Sequence, residues 1–190
     1  MQIPYGVFIA IMILASVFIN DRLSGNNRCL ITVIFVLPNL AGAFGLRFVP
    51  QSNHVGRLIC YYLTGSYNAS FVIILSLLTA NIAGHTKKVV TNAFIFLGVC
   101  AGNIAGPFFY KFHQAPGYSL GIWSMVVANL IEIALVVCMG VALAWENRRR
   151  DRIQGLVNSP EADFQRQWEL DQTAFSDLTD KENPNFRYQY

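Results

Sequence analysis

The sequence predicts an all-α integral membrane protein with five transmembrane helices, and three observations carry the prediction. Hydrophobic residues make up 54% of the 190 residues and charged ones only 13%, about half the charged share of a soluble domain. The charges are also segregated: nine lie between Met1 and Trp145, and the remaining sixteen follow Trp145. Finally, nearly uncharged runs of about 20 residues, long enough to cross a bilayer as helices, recur five times between short polar turns.

The spans fall at about 1–20, 29–47, 57–80, 89–110 and 118–145, giving a membrane domain over residues 1–150 and a tail over 151–190. The first run, Met1–Asn20, has no charge and ends at Asp21-Arg22. A signal peptide would need a basic start and a small-residue cleavage site; Met1–Tyr5 carries no cation and Ala15-Ser-Val17 is a poor cleavage sequence, so the run reads as a helix. Its abrupt beginning leads us to expect a chain cut from something longer. A polar turn around Gly25, Asn26 and Asn27 leads into the second run, where Pro38 is expected to kink the helix and Gly42 and Gly45 to admit a close neighbour.

The third and fourth runs, Arg57–Thr79 and Val89–Tyr110, flank the hinge Leu78–Lys88. A hinge this short makes them antiparallel neighbours. Pro116-Gly117 turns the chain into the fifth run, Tyr118–Trp145, which the cluster Arg148-Arg-Arg-Asp-Arg152 stops. Counting Lys and Arg beside the spans gives eight on the hinge side (Arg22, Arg28, Lys87, Lys88, Arg148, Arg149, Arg150, Arg152) and three on the other (Arg47, Arg57, Lys111). Positive charge marks the cytoplasmic face, so the hinge and C-terminus are expected there. The tail Gln154–Tyr190 is expected to hold one short amphipathic helix near Ala162–Leu170 and otherwise little order.

Several function classes drop out. The basic balance is a matter of topology, and no stacking or basic-stripe module suggests a nucleic-acid partner. Cys29, Cys60, Cys100 and Cys138 sit one to an apolar run with no metal-ligand spacing, so they read as packing residues. His54, His85 and His113 lie in three separate loops. No nucleophile, acid–base pair or phosphate loop is present, so neither an enzyme nor a cofactor or metal is expected.

What remains is polar chemistry inside the spans. The third span carries Tyr61-Tyr-Leu-Thr-Gly-Ser-Tyr-Asn-Ala-Ser70; at helical periodicity Tyr61, Thr64, Asn68 and Phe71 share a face. Polar groups at that depth either line a cavity or bond between helices, and both readings stay open. Tyr61, Tyr62 and Asn68, with Asn103 of the fourth span, are the candidate substrate-binding residues. Gly98, Gly102 and Gly106 form a small-residue ridge suited to close helix packing. Glu132, mid-way along the fifth span with Asn129 nearly one turn earlier, is either a proton carrier or a carboxyl bonded to a neighbouring helix.

Four stretches together resemble a known family. Asn81-Ile-Ala-Gly-His-Thr-Lys-Lys-Val-Val-Thr-Asn92 and Gly102-Asn-Ile-Ala-Gly-Pro107 are similar to the region joining the tenth and eleventh helices of fungal allantoate-permease-like transporters, in the anion:cation symporter group of the major facilitator superfamily. Ala115-Pro-Gly-Tyr-Ser-Leu-Gly121 resembles that family's next loop and helix start, and Asp177-Leu-Thr-Asp-Lys-Glu-Asn-Pro-Asn-Phe-Arg-Tyr188 its C-terminal signature. The resemblance implies that the five spans are helices eight to twelve, a partial C-terminal half of a twelve-helix fold. Its implied partners are a small organic anion, a proton, the lipid bilayer and the missing N-terminal helices, in a plasma-membrane importer. It also implies a gating role for Asp21, Arg22, Lys87 and Lys88. The alternative is a non-transporting remnant or an accessory helical-bundle subunit.

Overall fold

The computed structural model describes residues 2–23, 27–153, 179–181, 183 and 186–190. Every regular element among them is helical: α1 (Gln2–Arg22), α2 (Arg28–Phe48), α3 (His54–Thr64), α4 (Tyr67–Asn81), α5 (His85–Ala105) and α6 (Ser119–Ile153), with short 3₁₀ turns at Gly106–Phe109 and Phe112–Gln114. Five segments are long and apolar enough to cross a membrane: Ile3–Arg22, Arg28–Phe48, His54–Asn81, His85–Phe109 and Ser119–Arg152. Their number is the five expected from hydropathy, and α3 and α4 form one of them in two pieces. At ~1.5 Å per residue, the 35 residues of α6 outreach a ~30 Å hydrocarbon core, and the surplus carries the arginine cluster.

α2 is the hub, packed against α3, α4 and α6, while α1 lies mainly on α4. Ile31 and Phe35 of α2 meet Ala69 and Ile73 of α4 in one buried cluster; Cys29, Leu77 and Val136 form a second. Pro38 leaves α2 unbroken. The glycines after it do what their size allows: a Cβ on Gly42 would stand 2.6 Å from the Cys60 carbonyl oxygen, and one on Gly45 2.2 Å from the Cys60 sulfur. Only glycine lets the two backbones meet this closely.

α5 differs from the rest. None of its residues is buried, it packs closely on none of the other long helices, and the Gly106–Phe109 turn is its bridge to α6. The hinge preceding it is short, Ile82–Gly84, with Gly84 at φ 88°, a left-handed conformation that glycine adopts without steric penalty.

Candidate functional site

The third span owes its break to local sequence. Around Gly65 and Ser66 the backbone bonds shorten to three-residue steps: Gly65 N–H donates to the Tyr62 carbonyl at 3.0 Å, Ser66 to Leu63 at 3.2 Å and Asn68 to Gly65 at 3.3 Å. Such 3₁₀ stretches within a helix are frequent at hinges. Side chains also donate to carbonyls around the break. The Thr64 hydroxyl donates to Tyr61 O at 2.6 Å, the Asn68 amide to Gly65 O at 3.1 Å and the Ser70 hydroxyl to Tyr67 O at 2.8 Å. Much of the polar cluster is therefore spent on its own backbone, as Ser, Thr and Asn do beside a helix break.

Around that break three tyrosines gather. Tyr5 of α1 stacks on Tyr61 with ring centroids 4.7 Å apart and approaches Tyr62 at 6.3 Å. α1 comes so near that a Cβ on Gly65 would meet the Tyr5 ring and Ile9 at 3.0 Å. Asn103 is not part of this group; it lies exposed on α5.

Deeper in the bundle, polar ties run between helices. The buried Asn39 amide donates to the Asn129 side-chain oxygen at 2.7 Å, and Ser70 donates to Glu132 at 3.2 Å. Glu132 is thus bonded to a neighbouring helix. Asn39 is a residue that sequence reasoning misses, because a lone amide beside Pro38 in an apolar run carries no pattern. Among the described residues, Asn39 Oδ1, Asn129 Nδ2 and Ser66 Oγ are buried without a hydrogen-bond partner.

At the hinge end, the four expected gating residues separate. Lys87 pairs with Asp180 of the tail. Arg22 lies over the Phe18 ring at 5.2 Å, and Asp21 stands exposed; no ion pair among the described residues joins either to Lys87 or Lys88. The described tail residues dock on the ends of the helices. Asn147 both donates to the Tyr188 carbonyl (2.7 Å) and accepts from its N–H (2.9 Å), Asn81 makes the same pair with Gln189 (both 2.7 Å), and Arg28 N–H donates to Tyr190 O (3.0 Å). Arg150 completes the dock through the carbonyls of Asp180 and Phe186 and the Tyr188 hydroxyl. Polar composition removes the drive to form a separate core, yet specific side-chain amides still dock the tail's backbone. The expected helix near Ala162–Leu170 lies outside the described residues.

The Asp180 carboxyl is the centre of this dock. Burial alone would raise it, but hydrogen bonds from Lys87 and Tyr188 and the Lys87 charge hold it below its ordinary 3.8. Tyr188 is pushed up to about 12 by burial, by its hydrogen bond to Asp180 and by that carboxylate's charge.

The glycine ridge of α5 meets no helix among the described residues. A Cβ on Gly98, Gly102 or Gly106 would meet nothing within 4 Å, and Gly102 and Gly106 instead open on an apolar groove of about 620 Å³ against Trp123 and Ile131 of α6. The close approach falls at Gly42 and Gly45, because α2 is the hub and, among the described residues, no helix is seated on the ridge of α5.

Broken spans, buried amide ties and a lipid-compatible exterior define a multi-pass helical membrane protein with a polar interior. The chain is 38% identical over 165 residues to an uncharacterized transporter of Schizosaccharomyces pombe (87% of this chain, 30% of that protein). It is 37% identical over 132 residues to the allantoate permease of Saccharomyces cerevisiae (70% and 23%), and 31% identical over 159 residues to the MFS-type transporter cnsL of Penicillium expansum (84% and 30%). It belongs to the fungal MFS-type transporters, and its spans are part of that fold. The chain spans about a third or less of the length of these relatives. No family model matches it, and no solved structure does.

Proposed function

We infer that the chain is the C-terminal part of a proton-coupled importer of small organic anions, with allantoate, ureidosuccinate, nicotinate or a related vitamin as cargo. The observation that carries this reading is the 37% identity to an allantoate permease over 70% of the chain. Transport proceeds by alternating access, two halves rocking about a site near the bilayer midplane. Two features support it. The third span breaks at Gly65–Ser66, where a polar and aromatic cluster gives backbone and side chain a bend to move about. α5 is unburied on every side, as fits a helix that further helices of a longer transporter would cover. In this reading the hinge and tail face the cytoplasm of a plasma-membrane protein, and Lys87 and Lys88 meet the other half there.

Asn68 tests the site. In a full-length transporter that carries this segment, Asn68→Leu should raise the apparent KM for the organic anion. The loss of one hydrogen bond to a charged group weakens binding roughly tenfold or more. Unchanged uptake kinetics would remove this face from the substrate site. The 190-residue chain alone, in proteoliposomes, should show no uptake; proton-dependent uptake by it would overturn the two-half mechanism.

A further inference from the structure

The end of the bundle opposite the hinge holds a cavity of about 310 Å³, walled by Arg57, Tyr61 and Thr64 of α3 on one side and by Tyr110, Gly117 and Tyr118 on the other. In the sequence Arg57 marks only the boundary of a span. The fold brings it inward: Asn53 caps α3 by accepting from Gly56 N–H at 2.9 Å, Arg57 N–H closes the first turn onto Asn53 O, and the side chain is left half-buried at the cavity wall. Its guanidinium makes two contacts, from Nη1 to the carbonyls of Leu46 and Val49 at the end of α2, both 3.4 Å and so at the limit of a hydrogen bond. Nε and Nη2 bond to nothing among the described residues.

The surroundings supply no counter-charge. Between Arg22 and Ile131 the sequence has no Asp or Glu at all, although Arg47, Arg57 and Lys111 sit at this end. The hinge end is the opposite case, with Lys87 on Asp180, Arg150 on Glu146 and Arg187 on Asp151. A half-buried guanidinium with a free fork of donors matches a planar carboxylate, which it takes up in two parallel bonds. The other walls suit an organic body. Tyr110 and Tyr118 present rings 6.0 Å apart, and the Tyr110 hydroxyl is spent only on the Met125 sulfur at 3.0 Å, a weak acceptor that a ligand oxygen would replace. Tyr118 is also held at φ 38°, in a left-handed region that a bulky residue seldom enters, and such backbone outliers cluster at ligand sites. A volume of 310 Å³ lies at the small end of ligand pockets.

We propose that this cavity is a binding site for a small organic monocarboxylate, its carboxylate on Arg57 and its body against the Tyr110 and Tyr118 rings. The site deepens the transport reading on which it rests, giving the anion a place to dock outside the membrane midplane.

The test uses the purified 190-residue chain in detergent, with benzoate as the probe and benzamide as its neutral counterpart. Calorimetry should show saturable benzoate binding, none for benzamide, and an affinity lowered about tenfold or more by Arg57→Gln. Arg57→Lys, which keeps the charge, should lose less. Since Arg57→Gln also removes contacts to α2, a second measurement leaves the chain unaltered: benzoate should protect Arg57 from phenylglyoxal, read by mass spectrometry, and benzamide should not. No saturable binding, equal binding of benzamide, unchanged affinity in a folded Arg57→Gln variant, or unprotected Arg57 each overturns the site. Benzoate binding that ignores Arg57 leaves the transport reading standing. Arg57-dependent binding in a chain whose full-length form moves no organic anion leaves the site standing and removes that reading.

Discussion

Gly42 shows how much one missing methyl group decides. A Cβ added there would sit 2.6 Å from a backbone oxygen that cannot move independently of α3, so Gly42→Leu should cost several kcal/mol, at or above the ~1–3 kcal/mol usual for overpacking. Gly102→Leu, with nothing within 4 Å, should leave the thermal midpoint of the 190-residue chain nearly unchanged. Dye-free thermal unfolding in detergent measures both; equal midpoints for the parent and Gly42→Leu would sink the close approach of α2 and α3. By comparison the Asn39–Asn129 tie is modest, since hydrogen bonds between helices in membranes average ~0.6 kcal/mol. Spacing alone flagged every one of these glycines. Sequence pattern cannot say which small-residue stripe has a partner, because that depends on which helix becomes the hub.

At the level of elements, hydropathy was enough to give five helices long and apolar enough to span a membrane. The docked tail was illegible for a physical reason. Its ties join side chains to backbone groups across as many as 108 residues, and single amides leave no periodic trace. The dock should have a pH window. Asp180 is depressed when docked, so its contribution is present above 3.8 and is lost as pH falls through the lowered value. Tyr188 is raised, so its contribution is full below 10.0 and is lost as pH climbs toward about 12. Amide exchange at Tyr188 and Gln189, corrected for intrinsic rates, should show protection at neutral pH that fails at both extremes. Asp180→Ala should speed that exchange roughly tenfold at neutral pH, the weight of about one charged hydrogen bond. Undiminished protection in Asp180→Ala would show that the backbone amide pairs hold the tail without it.

For the whole molecule, the eight-to-three bias of Lys and Arg sets the expected orientation. A cysteine placed at Thr86, in a background lacking the native four, should resist impermeant thiol reagents applied outside sealed spheroplasts; labelling from outside would invert the topology. The fold also separates its two ends chemically, one with cations paired to acids and one with none. The paired end has a consequence in time. Lys87 lies in the first turn of α5, yet its partner Asp180 follows α6 in the chain, so a ribosome completes every described helix before that bond can exist. The helices must therefore enter the bilayer and find one another untied, with the strap closing last. A chain ended just after α6 and released from the ribosome should accordingly be inserted but still open at its hinge end.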